Sequence, residues 1–434
     1  MNGTTNGVNG TLVTTRKRQP TGRVGSKRQD VWTIINEGVM KAPIKPINMG
    51  QGFHSYPPPD FMITAAKDAM DLTSSHQYSP PKGAPRLRKA IAKAYSPFFG
   101  KAIDPETEVL VTTGANEGTL AAILAFVEPG DEVVLFEPFF DQYISNIDWA
   151  GGKCVYVPIS PPKDGATRNT SSSEWLVDFD RLEEVVSAKT KLLIVNSPNN
   201  PNGKVMTREE LHRIADLCVK HNVIVISDEV YDRLNYVPFT RISTLSPEIA
   251  RLTLSVGSAG KNFYCTGWRI GWFIGPADLI KYVGIAHMRI CFCSPSPLQE
   301  AVAVGFEKAE QLGFWDQTVS DMRSKVDRFV KVFDELGMPY SYPDGGYFVM
   351  ANLSKVRLPE EYEYPPQVAE RTRDFKLAWF VMYEVGVAAI PPSEFYSSER
   401  AHLAQDYLRF SVCKTESELD EAQKRLRLLK KYMV

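Results

Sequence analysis

The chain predicts an α/β fold: one large, mostly parallel sheet joined to a second, smaller α+β unit. Three observations point there. From about residue 104, short apolar or β-branched runs alternate with helical patterns, as in a parallel sheet covered by helices on both faces. Beyond residue 330 that alternation stops and helices and strands follow a different order. At 434 residues, 43% of them hydrophobic, the chain is also longer than one compact core usually needs.

The elements follow in order. Residues 1–30 hold no acid before Asp30 but carry Arg16, Lys17, Arg18, Arg23, Lys27 and Arg28 among many Gly, Thr and Asn. They read as a disordered basic tail, with a mitochondrial leader as the other reading; without an apolar run they are not a secretory signal. Residues 31–64 are expected to be an N-terminal segment of the smaller unit. The large unit, 65–330, should hold seven strands, at 108–112, 132–136, 153–158, 191–196, 223–227, 253–256 and 270–274. Helices are expected at 116–127, from about 141, and from Thr207 to about 221, where Thr207 and Glu210 have capping-box spacing. The smaller unit, 331–434, takes in the end of a long helix at 315–336 and a strand at 347–352. After the Pro-rich loop 355–366 come a helix at 375–385, strands at 387–390 and 407–412, and a helix from 416.

Composition removes several functions. A formal net charge of −1 gives no basic field for nucleic acid or an anionic membrane. Apolar runs such as 219–226 fall far short of the roughly 20 residues that span a bilayer. The six cysteines are scattered, and the close pair Cys291 and Cys293 has no second pair to complete a zinc site. No metal is expected, and the cysteine usage suits a reducing, cytoplasmic compartment.

In parallel sheets ligands bind beyond the carboxyl ends of the strands. After the first strand comes Thr113-Gly114-Ala115-Asn116-Glu117-Gly118, and after the second Glu137-Pro138-Phe139-Phe140. Later strands lead into Ser197-Pro198-Asn199-Asn200, Asp228-Glu229-Val230-Tyr231 and Ser258-Ala259-Gly260-Lys261. Singly, each has an ordinary reading: a surface lysine, a helix-capping aspartate, an Asn-Pro turn. Together they place an amine, a carboxylate, a phenol, an amide and a glycine-rich helix start in one crevice.

A glycine-rich helix start binds phosphate. A dinucleotide fits part of the pattern, since Glu137 lies roughly 20 residues past the Gly114 turn, where a ribose acid would stand. But position 120 is Leu where that turn needs Gly, and Asn200, Asp228 and Lys261 would have no task. Pyridoxal 5′-phosphate uses every piece: a lysine to hold its aldehyde carbon, an acid to keep its ring nitrogen protonated, and donors for its phenolate oxygen.

Ser258-Ala259-Gly260-Lys261 followed by Gly267-Trp268-Arg269-Ile270-Gly271 resembles the lysine signature of the class I/II aminotransferases, pyridoxal-phosphate-dependent transferases of fold type I. The resemblance spans about residues 31–434. Gly50-Gln51-Gly52-Phe53, Gln77-Tyr78-Ser79-Pro80, Gly114–Gly118, Glu137–Tyr143 and Pro198-Asn199-Asn200-Pro201 narrow it to the kynurenine aminotransferase, glutamine transaminase K and cysteine-conjugate β-lyase subgroup. Tyr95-Ser96-Pro97, Arg289-Ile290-Cys291-Phe292 and the 294–300 stretch are most similar to the fungal kynurenine aminotransferases.

The resemblance implies roles. Lys261 holds the cofactor and acts as base, Asp228 faces the ring nitrogen, and Tyr231 and Asn200 face the phenolate oxygen. Ser258, Arg269, Ala115 and Asn116 bind the phosphate, and Phe140 stacks on the ring. Arg409 clamps the substrate carboxylate with help from Asn200 and the Gly52 backbone. Tyr78 reaches the neighbouring subunit's cofactor, which implies a homodimer. The expected reaction moves the amino group of an aromatic or sulfur-containing amino acid, kynurenine foremost, to a 2-oxo acid such as 2-oxoglutarate. The alternative is a C–S β-lyase or a tailoring enzyme of fungal secondary metabolism using the same residues. Tyr264 and Cys265 stand where relatives carry small residues, and both could alter the pocket. Trp32, Phe53, His54, Tyr56 and Phe395 are candidate aromatic lining or ordinary packing.

Overall fold

The computed structural model describes residues 21–22 and 29–433. The expected tail therefore lies mostly outside the described residues; its last member, Asp30, caps the helix Val31–Lys41 by accepting from Thr33 N–H at 2.9 Å.

The large sheet has eight strands, ordered Val109–Thr112, Gly271–Ile274, Thr253–Ser258, Ile224–Asp228, Thr190–Asn196, Glu132–Glu137, Lys153–Ser160 and Leu176–Val177. Seven are those expected. The eighth, only two residues long, closes one edge antiparallel to Lys153–Ser160. Gly271–Ile274 is an exception within the mostly parallel sheet: it runs antiparallel to both neighbours. The connection from Ser258 to Gly271 holds only the four-residue helix Ala259–Asn262 and a short turn at Thr266–Trp268, not the long helix that usually carries a parallel crossover.

Strand residues alternate between two cores. Val133, Leu135, Leu192 and Ile194 pack with Ala121, Ala122 and Ile123 of the helix Ala115–Phe126, while Val134, Phe136, Leu193 and Val195 pack with Leu211, Ile214 and Cys218 of Arg208–His221. That is why these strands read as unbroken apolar runs. The capping box expected at Thr207 and Glu210 is present.

A four-stranded sheet, ordered Tyr407–Ser411, Phe348–Asn352, Tyr340–Tyr342 and Thr170–Ser171, packs with the helix Phe314–Leu336. A separate parallel pair joins Ile47–Asn48 to Val387–Ala388, tying the segment before residue 65 to the C-terminal part of the chain. Among the described residues, no helix is long and apolar enough to cross a membrane.

Candidate active site

The carboxyl ends of the parallel strands converge as the sequence implied. Eleven expected residues line one cavity of about 210 Å³: Gly52, Ala115, Asn116, Phe140, Asn200, Asp228, Tyr231, Ser258, Lys261, Arg269 and Arg409. Tyr78 is apart from it, 84% exposed, its ring edge-on to Phe292 at 5.1 Å between centroids.

Lys261 sits in the short helix Ala259–Asn262 that follows the strand Thr253–Ser258. Its Nζ donates to Gly52 O and Tyr347 Oη, both at 3.1 Å, and Tyr347 Oη donates to Gly52 O at 2.9 Å. Burial disfavours the ammonium and brings its pKa down to about 8. Asp228 ends its strand wholly inside the protein. It accepts from the Tyr143 hydroxyl and from Val230 N–H at 3.3 Å, and burial raises its pKa. No cation pairs with it among the described residues' ion contacts, and a buried carboxylate in that position calls for one.

The turn before Ala115–Phe126 is shaped around an arginine. Gly114 has φ 84°, and a Cβ there would lie 2.3 Å from Arg269 Nη2. Gly271 is confined likewise: a Cβ would come within 2.6 Å of Ala115 N. Arg269 itself adopts the left-handed φ of 55°, a strained conformation for a residue with a side chain. The result is an exposed guanidinium beside free N–H groups at a helix N-terminus, with Ser258 alongside, which is the chemistry of a phosphate cradle. The residues therefore fit pyridoxal phosphate at both ends, Asp228 for a ring cation and this cradle for the phosphate.

Arg409, from the strand Tyr407–Ser411, is buried. Its Nη1 donates to Asn200 Oδ1 at 2.7 Å, its Nη2 to Gly50 O at 2.6 Å, and its Nε has no partner. Burial lowers its pKa to about 10. Its guanidinium carbon is 4.2 Å from the Phe348 ring centroid.

The profile described as "Aminotransferase class I and II" matches residues 44–426. The chain belongs to the class I and II aminotransferases. This aminotransferase is 49% identical over 414 residues to the Saccharomyces cerevisiae protein named "Probable kynurenine–oxoglutarate transaminase", covering 93% of each chain. It is 35% identical to the kynurenine–oxoglutarate transaminase of Dictyostelium discoideum, covering 95% of this chain and 97% of the other. The crystal structure of Bna3p from Saccharomyces cerevisiae superimposes with a TM-score of 0.91 at 49% identity, covering 94% of this chain and 97% of that one. The fold is that of the fold type I aminotransferases, and these relatives favour amino-group transfer over the β-lyase alternative.

Several residues of the aminotransferase site escaped the sequence reading. Tyr143 lies one helical turn beyond Phe140 and holds Asp228. Tyr347 lies just before the antiparallel strand Phe348–Asn352, so a search of strand carboxyl ends passes over it. Of the candidate aromatic residues only Trp32 lines the cavity, with its indole N–H donating to Asp141 Oδ2 at 2.8 Å. Tyr264 and Cys265 do not line it; Tyr264 bonds Thr318 and packs on His54, which is buried with neither ring nitrogen paired.

Proposed function

We propose that the enzyme moves the amino group of an aromatic or sulfur-containing amino acid, kynurenine foremost, to a 2-oxo acid such as 2-oxoglutarate, with pyridoxal 5′-phosphate held in the cavity. The observation that carries the reading is the placement of a buried amine, Lys261, and an unpaired buried carboxylate, Asp228, on one cavity beside the Gly114 cradle. When bound, pyridoxal phosphate supplies an electron sink that acidifies the substrate Cα–H.

The chain's own residues do the rest. Arg269, Ser258 and the N–H groups of Ala115 and Asn116 hold the phosphate. Asp228, fixed by Tyr143, keeps a ring nitrogen protonated by charge pairing. Tyr231 and Asn200 would donate to the phenolate oxygen and Phe140 would pack on the ring; all three line the cavity. Arg409 takes the substrate carboxylate in a bidentate fork, and its unpaired Nε leaves donor capacity for it. Lys261, whose ammonium form burial disfavours, would take and return the Cα proton.

The chain is proposed to act as a homodimer in which Tyr78 reaches the partner's phosphate; its exposure here supports that. The two-part organisation, 65–330 against 31–64 with 331–434, would carry the substrate arginine on the smaller part. A cytoplasmic setting is in keeping with six free cysteines, and mitochondrial import by the basic leader is the other possibility retained. Incubating the protein with kynurenine and 2-oxoglutarate tests the substrate class. Glutamate in equal amount to the ketone-side product supports the reading. Pyruvate and ammonia from a cysteine conjugate, with no glutamate formed from any amino acid, would point to the β-lyase.

A further inference from the structure

The phosphate end of the proposed site is a helix N-terminus, which attracts any anion within reach. Glu117 is such an anion. It stands in the first turn of Ala115–Phe126, directly after Asn116. A carboxylate rotating freely there would compete with the phosphate for the N–H groups of Ala115 and Asn116, and would repel it.

The structure turns it elsewhere. Glu117 Oε2 accepts from Thr113 N–H at 2.9 Å, and both carboxylate oxygens lie 3.0 Å from Nδ1 of His287. His287 is wholly buried near the end of the helix Ala277–Ile290. Opposite an acceptor-only carboxylate, its Nδ1 is the donor. Its Nε2 has no partner, so a polar ring is buried at a desolvation cost for what that one edge does. Cys291 Sγ lies 3.4 Å from the same Nδ1 and 3.2 Å from Thr113 Oγ1, which in turn lies 3.2 Å from Ser294 Oγ. The carboxylate is thus held from two sides, by the Thr113 amide and the His287 ring, and neither Glu117 nor His287 lines the cavity.

We infer that Glu117 and His287 are positioning residues for the cofactor phosphate. His287 locks the Glu117 carboxylate onto the Thr113 amide, where it braces the turn carrying Gly114 and keeps its charge away from the N–H groups that the phosphate needs. This rests on the reading that the cradle binds pyridoxal phosphate. It has an unusual consequence: losing the histidine alone does more harm than losing the histidine and the carboxylate charge together.

Equilibrium binding of pyridoxal 5′-phosphate and of phosphate-free pyridoxal to the cofactor-free full chain tests it. His287→Leu should weaken pyridoxal phosphate about tenfold, equivalent to about 1.4 kcal/mol, and leave pyridoxal almost unchanged. The double variant His287→Leu with Glu117→Gln should recover most of that loss, which a merely structural role would not do. Glu117→Gln alone, which needs no folding of the histidine variant, should bind pyridoxal phosphate as well as wild type or better. Equal weakening of both ligands, a double variant no better than the single, or a tenfold loss in Glu117→Gln would overturn the inference. Wild type that holds the two ligands equally would sink the cofactor reading itself, and this inference with it.

Discussion

Lys261 owes its chemistry to where its amine is kept. Burial brings the ammonium from 10.5 down to about 8, so between those values the unfolded chain holds a proton that the folded chain has released. The residue therefore makes the stability of the cofactor-free protein rise with pH across that window, and below about pH 8 its penalty is fully present. Lys261→Met should raise the melting temperature at pH 7 and raise it less at pH 10; an equal gain at both would argue against the shifted pKa. Asp228 is a second residue-scale case. Asp228→Asn keeps the shape but removes the charge that fits a ring cation, so transamination should fall by about 10²-fold or more while Lys261 still takes up the cofactor. Steady-state rates beside an absorbance measurement of uptake would separate the two effects. Full activity in the amide variant would remove Asp228 from its proposed role.

The elements explain why those residues meet. Parallel strands end at one edge, and their buried, two-sided core writes them as apolar runs that sequence alone can find. Seven strands and most of the site were legible for that reason, because each constellation follows a strand. The direction of Gly271–Ile274 was not legible, since an apolar run reads the same both ways. Tyr347 sits just before a strand rather than at its end, and His287 meets Glu117 across 170 residues of sequence, so no local pattern announces either contact. The Gly114 turn carries an element-scale prediction. Gly114→Ala forces a Cβ against Arg269 and a side chain into φ 84°, strain of about 1–3 kcal/mol. The strain should fall on phosphate retention, measured as the rate at which pyridoxal phosphate dialyses away. Retention equal to wild type would mean that the turn does not form the cradle.

At the scale of the molecule, the site joins segments from the whole chain: Trp32 and Gly52 near its start, the strand ends of the large sheet, and Arg409 near its end. The proposed homodimer adds one claim. If Tyr78 serves the partner's site, co-expressing Tyr78→Ala with Lys261→Ala should give mixed dimers with one intact site. Their activity should exceed that of either parent, and activity no higher than the Tyr78→Ala parent would deny the crossing contact. The central claim is that all these segments converge on one lysine that carries the cofactor. Borohydride reduction of the cofactor-loaded protein, followed by proteolysis and peptide mass mapping, tests it most directly. A pyridoxyl group on the peptide containing Lys261, and on no other, is the predicted result; a group on Lys325 or Lys414, or none at all, would contradict it.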